Sequence, residues 1–178
     1  MKYRKTLAAA AAALLIAGGG WLLNREKSNA SHLSQGQSEM NPAHEKVFLI
    51  EQLRRNPGHS PILLRLAQIE HSEGDLYAAR QHLEQAIAAD GKQVEVRLEL
   101  GLVCWELDDF AAAEEQNRAV LRIDPGQADA LYNLGAISAN RGDTGHAREF
   151  WSTAMRSGRN NDAAEKSRRA IERLEAMR

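Results

Sequence analysis

Residues 98–125 read LELGLVCWELDDFAAAEEQNRAVLRIDP, and three of their features return 34 residues earlier and 34 later. Leu100-Gly101 is matched by Leu66-Ala67 and Leu134-Gly135, Ala113 by Ala79 and Ala147, and Val120 by Ala86 and Ala154. A fourth register holds the turn pairs Gly74-Asp75, Asp108-Asp109 and Gly142-Asp143. Several registers at one period mark an internal repeat. Inside a copy, Leu63, Leu66 and Ala67, then Ala79, Leu83, Ala86 and Ile87, step by three and four, the period of a helix with one buried face. A small residue at a helix crossing keeps the axes at about 8–10 Å, and Gly with Asp closes a tight turn. The repeating unit is therefore expected to be a helical hairpin.

Composition agrees. The 178 residues are 43% hydrophobic but only 5% aromatic and include 29 Ala, a balance that favours close-packed helices over a β-sandwich or barrel. Lys and Arg number 23 against 24 Asp and Glu, so the strongly basic surface of a nucleic-acid binder is missing and no nucleic-acid partner is expected. A single cysteine excludes a disulfide framework and any multi-cysteine zinc site.

The blocks resemble tetratricopeptide repeats, whose pattern has a small residue at position 8, Ala at 20, an apolar or aromatic residue at 24 and often Pro at 32. Position 8 is Ala67, Gly101 and Gly135; position 20 is Ala79, Ala113 and Ala147; position 24 is Leu83, Asn117 and Trp151; position 32 is Gly91, Pro125 and Arg159. Departures are Asn117 at an apolar position, Glu70 and Ser138 where Tyr is common, and the two missing prolines. The resemblance implies an all-α, right-handed solenoid of about three hairpins, with copies at residues 60–93, 94–127 and 128–161. Stepping back one period from Leu83 and Gly91 reaches Leu49 and Pro57, so residues 42–58 read as a degenerate half repeat. Residues 162–178 read as a capping helix with Asp162 as N-cap.

The chain begins differently. Lys2, Arg4 and Lys5 precede an uncharged stretch from Thr6 to Leu23, whose eighteen residues would reach roughly 27 Å as a helix. Residues 1–27 are expected to be a transmembrane helix serving as a membrane anchor, with a cleaved signal peptide as the competing reading through Ser28-Asn29-Ala30. The positive charges put the N-terminus inside and the repeats in the periplasm of a bacterial inner membrane. Residues 28–41, SNASHLSQGQSEMN, read as a flexible tether.

Catalytic signatures are missing from the sequence. The six histidines form no H-E-x-x-H pair, and neither a phosphate-binding loop nor a nucleophile elbow is present, so no enzyme, metal or cofactor is expected. Cys104 lies at position 11 of its copy, a packing position, and is expected to be a buried thiol.

The resemblance instead implies a concave surface lined by the first helix of each hairpin, a peptide-binding groove. Its expected residues are Leu64, Gln68, His71, Leu98, Leu102, Trp105, Tyr132, Asn133, Ala136 and Asn140. Leu98, Leu102 and Trp105 form an apolar strip flanked by Leu64 and Tyr132, and the amides of Asn133 and Asn140 suit a peptide backbone. Burial of the strip by the helix of residues 44–55 or by a second copy is the alternative. Relatives that clamp acidic chaperone tails use Lys, Arg and Asn where this chain has Leu64, Gln68, Glu99, Asp129 and Asn133. Residues 59–158 carry nine positive and sixteen negative charges, net −7, which favours neutral or basic partner segments. The expected function is a non-enzymatic, membrane-anchored adaptor that binds a peptide or helix of an exported protein. Anchor plus small array resembles the repeat subunits of bacterial cytochrome c maturation. The alternative is a structural subunit of an envelope or secretion complex, or a scaffold that forms a homo-oligomer.

Overall fold

The computed structural model describes residues 41–157 and 161–176, and all regular structure among them is helical. Eight helices follow in order: α1 (Pro42–Arg55), α2 (Ser60–Glu73), α3 (Leu76–Ala89), α4 (Val94–Glu106), α5 (Phe110–Ile123), α6 (Ala128–Asn140), α7 (Thr144–Arg156) and α8 (Asn161–Ala176). Helices α2 and α3, α4 and α5, and α6 and α7 pair as hairpins, and each hairpin packs on the next through α3 against α4 and α5 against α6. At the ends, α1 lies on α2, while α8 packs on α7 and also along α6.

The expected anchor over residues 1–27 lies outside the described residues, as does the tether up to residue 40. Asn41 is no part of a tether, because its side chain accepts the Ala43 N–H at 3.0 Å and caps α1. Among the described residues no helix is long and apolar enough to cross a membrane. Asp162, expected as an N-cap, instead sits in the first turn of α8, where a carboxylate still favours the helix dipole.

Each hairpin turn is built from two residues with separate tasks. Gly74, Asp108 and Gly142 take left-handed backbone with φ of 82°, 60° and 79°, ending the first helix of the pair. The following N–H groups of Asp75, Asp109 and Asp143 donate to the carbonyls of Glu70, Cys104 and Ser138, each at 2.9 Å. The same aspartates then start the second helix, their carboxylates accepting from the N–H of Ala78, Ala112 and His146 at 3.1 Å. Asp90 and Asp124, also one period apart, turn the chain between hairpins by accepting from the N–H groups of Lys92 and Gly126 at 3.0 and 3.1 Å.

Burial follows the 34-residue register. Ala67, Ala79, Ala86, Ala113, Val120, Ala147 and Ala154 are all fully buried. Positions 8 and 24 face each other within a hairpin and compensate in size. Ala67 shares the core with Leu83. At Gly101 an added Cβ would stand 2.8 Å from the Asn117 amide nitrogen, and at Gly135 it would come within 3.0 Å of three atoms of the Trp151 indole. Glycine at position 8 therefore accommodates what position 24 carries.

Candidate peptide-binding face

All ten expected groove residues lie on α2, α4 and α6, and the fold treats them in three ways. Leu64 and Trp105 pack against the main core cluster, which contains Leu63, Ala67 and Cys104. Trp105 meets Phe110 edge-on, with ring centroids 4.8 Å apart and planes inclined at 63°. Tyr132 and Ala136 join a second cluster with Trp151 and Leu174, covered by Ala170 and Ile171 of α8. Leu98 and Leu102 stay half-buried outside both clusters, one turn apart on α4. The continuous strip expected from Leu64 to Tyr132 is thus shortened at both ends. The cover at the α6 end comes from α8, while α1 is occupied on α2 through Glu45–Arg65 and Lys46–Glu73 ion pairs at 2.6 and 2.7 Å.

His71 and Asn133 have internal partners. His71 is 7% exposed, and its ring nitrogens approach the carboxylates of Glu106 at 2.9 Å and Glu99 at 3.2 Å, both on α4. Hydrogen bonding to Glu106, then to Glu99, pushes its pKa up to about 9 against the cost of burial, so an imidazolium ties the first hairpin to the second at neutral pH. The Asn133 amide donates to Asn117 Oδ1 at 3.0 Å, and buried Asn117 donates to the Ala113 carbonyl at 2.8 Å. Asn117 at an apolar position is explained by this amide chain between α5 and α6. Glu70 at another atypical position is buried beside His82 Nδ1 at 2.7 Å and Lys46 Nζ at 3.7 Å. By contrast, among the described residues the side-chain amides of Gln68 and Asn140 have no internal hydrogen bond, and both residues are half-buried.

The His71–Glu106 link had a sequence signal in the repeat itself. A period of 34 places the neighbour of His71 at Trp105, so Glu106 lies one residue beyond it. Opposite charges about one period apart are candidates for bridges between hairpins.

Cys104 is 1% exposed, and burial pushes its thiol pKa up to about 11, leaving it protonated and inaccessible. Among the described residues no group of three His, Cys, Asp or Glu side chains is placed to hold a metal ion. A cleft of about 560 Å³ lies elsewhere, between α5 and α7, and its Glu114 is paired with Arg118 and Arg141.

Residues 60–93 match the tetratricopeptide repeat family model. The fold is a tetratricopeptide-repeat array. Solved structures sharing it include MamA, at 19% identity and a TM-score of 0.61 over 76% of this chain and 90% of that one. YrrB, described as a repeat protein with an unusual peptide-binding site, aligns at 22% identity and a TM-score of 0.64 over 72% of this chain and 66% of its own. The first repeat domain of Spaghetti (RPAP3), bound to the HSP90 peptide SRMEEVD, aligns at 16% and 0.57 over 65% and 92%. No curated protein sequence matches significantly. Likenesses at these identities establish the repeat array as architecture alone.

Proposed function

We propose that the chain is a non-enzymatic adaptor, anchored in a bacterial inner membrane through residues 1–27, that holds an extended or helical segment of an exported protein on the periplasmic side. The carrying observation is the pair Leu98 and Leu102, two large apolar side chains left half-buried on α4 with no place in either core cluster. A partner segment laid across them would gain apolar contact from this pair and backbone hydrogen bonds from the amides of Gln68 and Asn140. Peptide binding on this fold in YrrB and Spaghetti supports the reading. An acidic peptide such as SRMEEVD is disfavoured here, since residues 59–158 carry a net −7. Exported proteins undergoing maturation, c-type cytochromes among them, are the client class that the anchor-plus-array architecture suggests.

The structural-subunit reading has one observation in its favour: Tyr132 and Ala136 are already covered and His71 and Asn133 already bonded, so much of the face serves the fold. Affinity capture from solubilised membranes with the full chain separates the two. The adaptor reading expects exported proteins that are lost with Leu98→Glu/Leu102→Glu while the helical content of the variant is retained. Recovery of the same proteins in the same amounts by both forms would remove it, and recovery at fixed stoichiometry by both would favour the structural role.

A further inference from the structure

Helix α1 carries apolar side chains where the equivalent helices are mostly polar. Val47 and Phe48 are 68% and 52% exposed. One and two periods later the place of Val47 is taken by Gln81 and Glu115, and that of Phe48 by His82 and Gln116; the third brings Glu149 and half-buried Phe150. Apolar groups of this size on the solvent face of a terminal unit are unusual, because such units normally turn a polar face to water. The opposite end of the array obeys that rule: α8 exposes Arg168, Arg169, Glu172 and Arg173.

The exposed stripe of α1 is complementary to itself. His44, Val47, Phe48 and Glu51 are separated by three, one and three residues, which gathers them within about 100° of the helix circumference. A two-fold axis between Val47 and Phe48 would lay an antiparallel copy so that Val47 meets the partner's Phe48. The same operation sets His44 against the partner's Glu51, twice. An isologous contact requires this reciprocity, and antiparallel helix dipoles add to it. The intrahelical neighbours of Glu51, Arg54 and Arg55, stand 3.6 and 3.5 Å away and are 76% and 70% exposed at the side chain, a loose pairing that leaves the carboxylate available.

We propose that α1 is a homodimer contact, with two copies packed antiparallel through Val47 and Phe48 and flanked by His44–Glu51 pairs. This surface is separate from the face of α2, α4 and α6, and the proposal stands whatever that face binds. One helix stripe covers less than the roughly 800 Å² per partner of a stable interface, so the dimer is reversible and dissociates on dilution.

The test is the protein mass of the full chain in mild detergent, by sedimentation from low to high micromolar concentration. Wild type is expected to move from 19.7 kDa toward twice that mass. Phe48→Glu is expected to stay monomeric with unchanged helical content, since the side chain is exposed. His44→Glu should weaken the dimer by about fivefold through two lost pairs, and His44→Glu with Glu51→Lys should restore it to within about twofold. Three results overturn the proposal: a monomer at every concentration, a dimer that Phe48→Glu leaves intact, or a double variant no tighter than the single. A monomer whose binding to lipid vesicles is lost with Phe48→Glu would assign the stripe to a membrane surface instead.

Discussion

Gly135 packs against the Trp151 indole, whose Nε1–H donates to the Tyr132 carbonyl at 3.1 Å and so fixes the ring in place. A methyl group added there has to displace a buried, hydrogen-bonded side chain. Gly135→Ala is therefore expected to destabilise the fold by about 1–3 kcal/mol despite the better helix propensity of alanine. Adding Trp151→Leu, which reproduces the Ala67 and Leu83 arrangement of the first hairpin, should recover most of that loss in a double-mutant cycle read by denaturant unfolding. Additive losses would contradict size compensation between positions 8 and 24. Asp108 has the opposite mismatch: it takes φ of 60° where the other two turns use glycine. Asp108→Gly should stabilise by about 0.5–1 kcal/mol, whereas Gly74→Ala and Gly142→Ala should cost about 1 kcal/mol. A thermal melt in which Asp108→Gly lowers the midpoint would show that its left-handed backbone carries no strain.

At the scale of elements, the contacts between hairpins mix apolar packing with a few buried polar links. His71 on α2 is held by Glu106 and Glu99 on α4, and its folded pKa of about 9 lies above the ordinary value of 6.5. A raised basic pKa stabilises fully below about pH 6.5, and that stability is lost as pH rises through about 9; its size is on the order of 2–3 kcal/mol. Unfolding free energy should fall over this window in the wild type and stay nearly flat in His71→Gln, which starts lower at pH 6.5. Parallel pH profiles for the two proteins would contradict the bridge. The aspartate caps give a second comparison. Asp109 caps α5 and also meets Arg80 Nη1 at 3.0 Å, so Asp109→Ala should cost more than the roughly 1 kcal/mol expected for Asp75→Ala. The hairpins themselves were legible in the sequence because a helix crossing admits only small residues, and Ala67, Gly101 and Gly135 repeat that restriction every 34 residues. The bridge was harder to see, since pairing His71 with Glu106 depends on how one hairpin is rotated against the next, which no single helix pattern states.

For the whole molecule, the placement of the ten expected residues on α2, α4 and α6 was legible, while their burial was not. Tyr132 and Ala136 are covered because α8 buries a stripe of Ala163, Ser167 and Leu174 that does not follow the repeat register, so stepping by 34 could not locate it. Trp105 satisfied the groove spacing, but it packs on the core beside Phe110. What remains half-buried outside both clusters is the pair Leu98 and Leu102 on α4, with the amides of Gln68 and Asn140 on the flanking helices α2 and α6. Partner binding at that pair is the central claim for function, and site-specific photocrosslinking in cells tests it most directly. A photoreactive side chain at position 102 of the full chain is expected to give a discrete adduct with an exported protein, while the same group in place of Tyr77, which is 78% exposed on α3, gives none. Equal adducts at both positions, or none at position 102, would contradict the account.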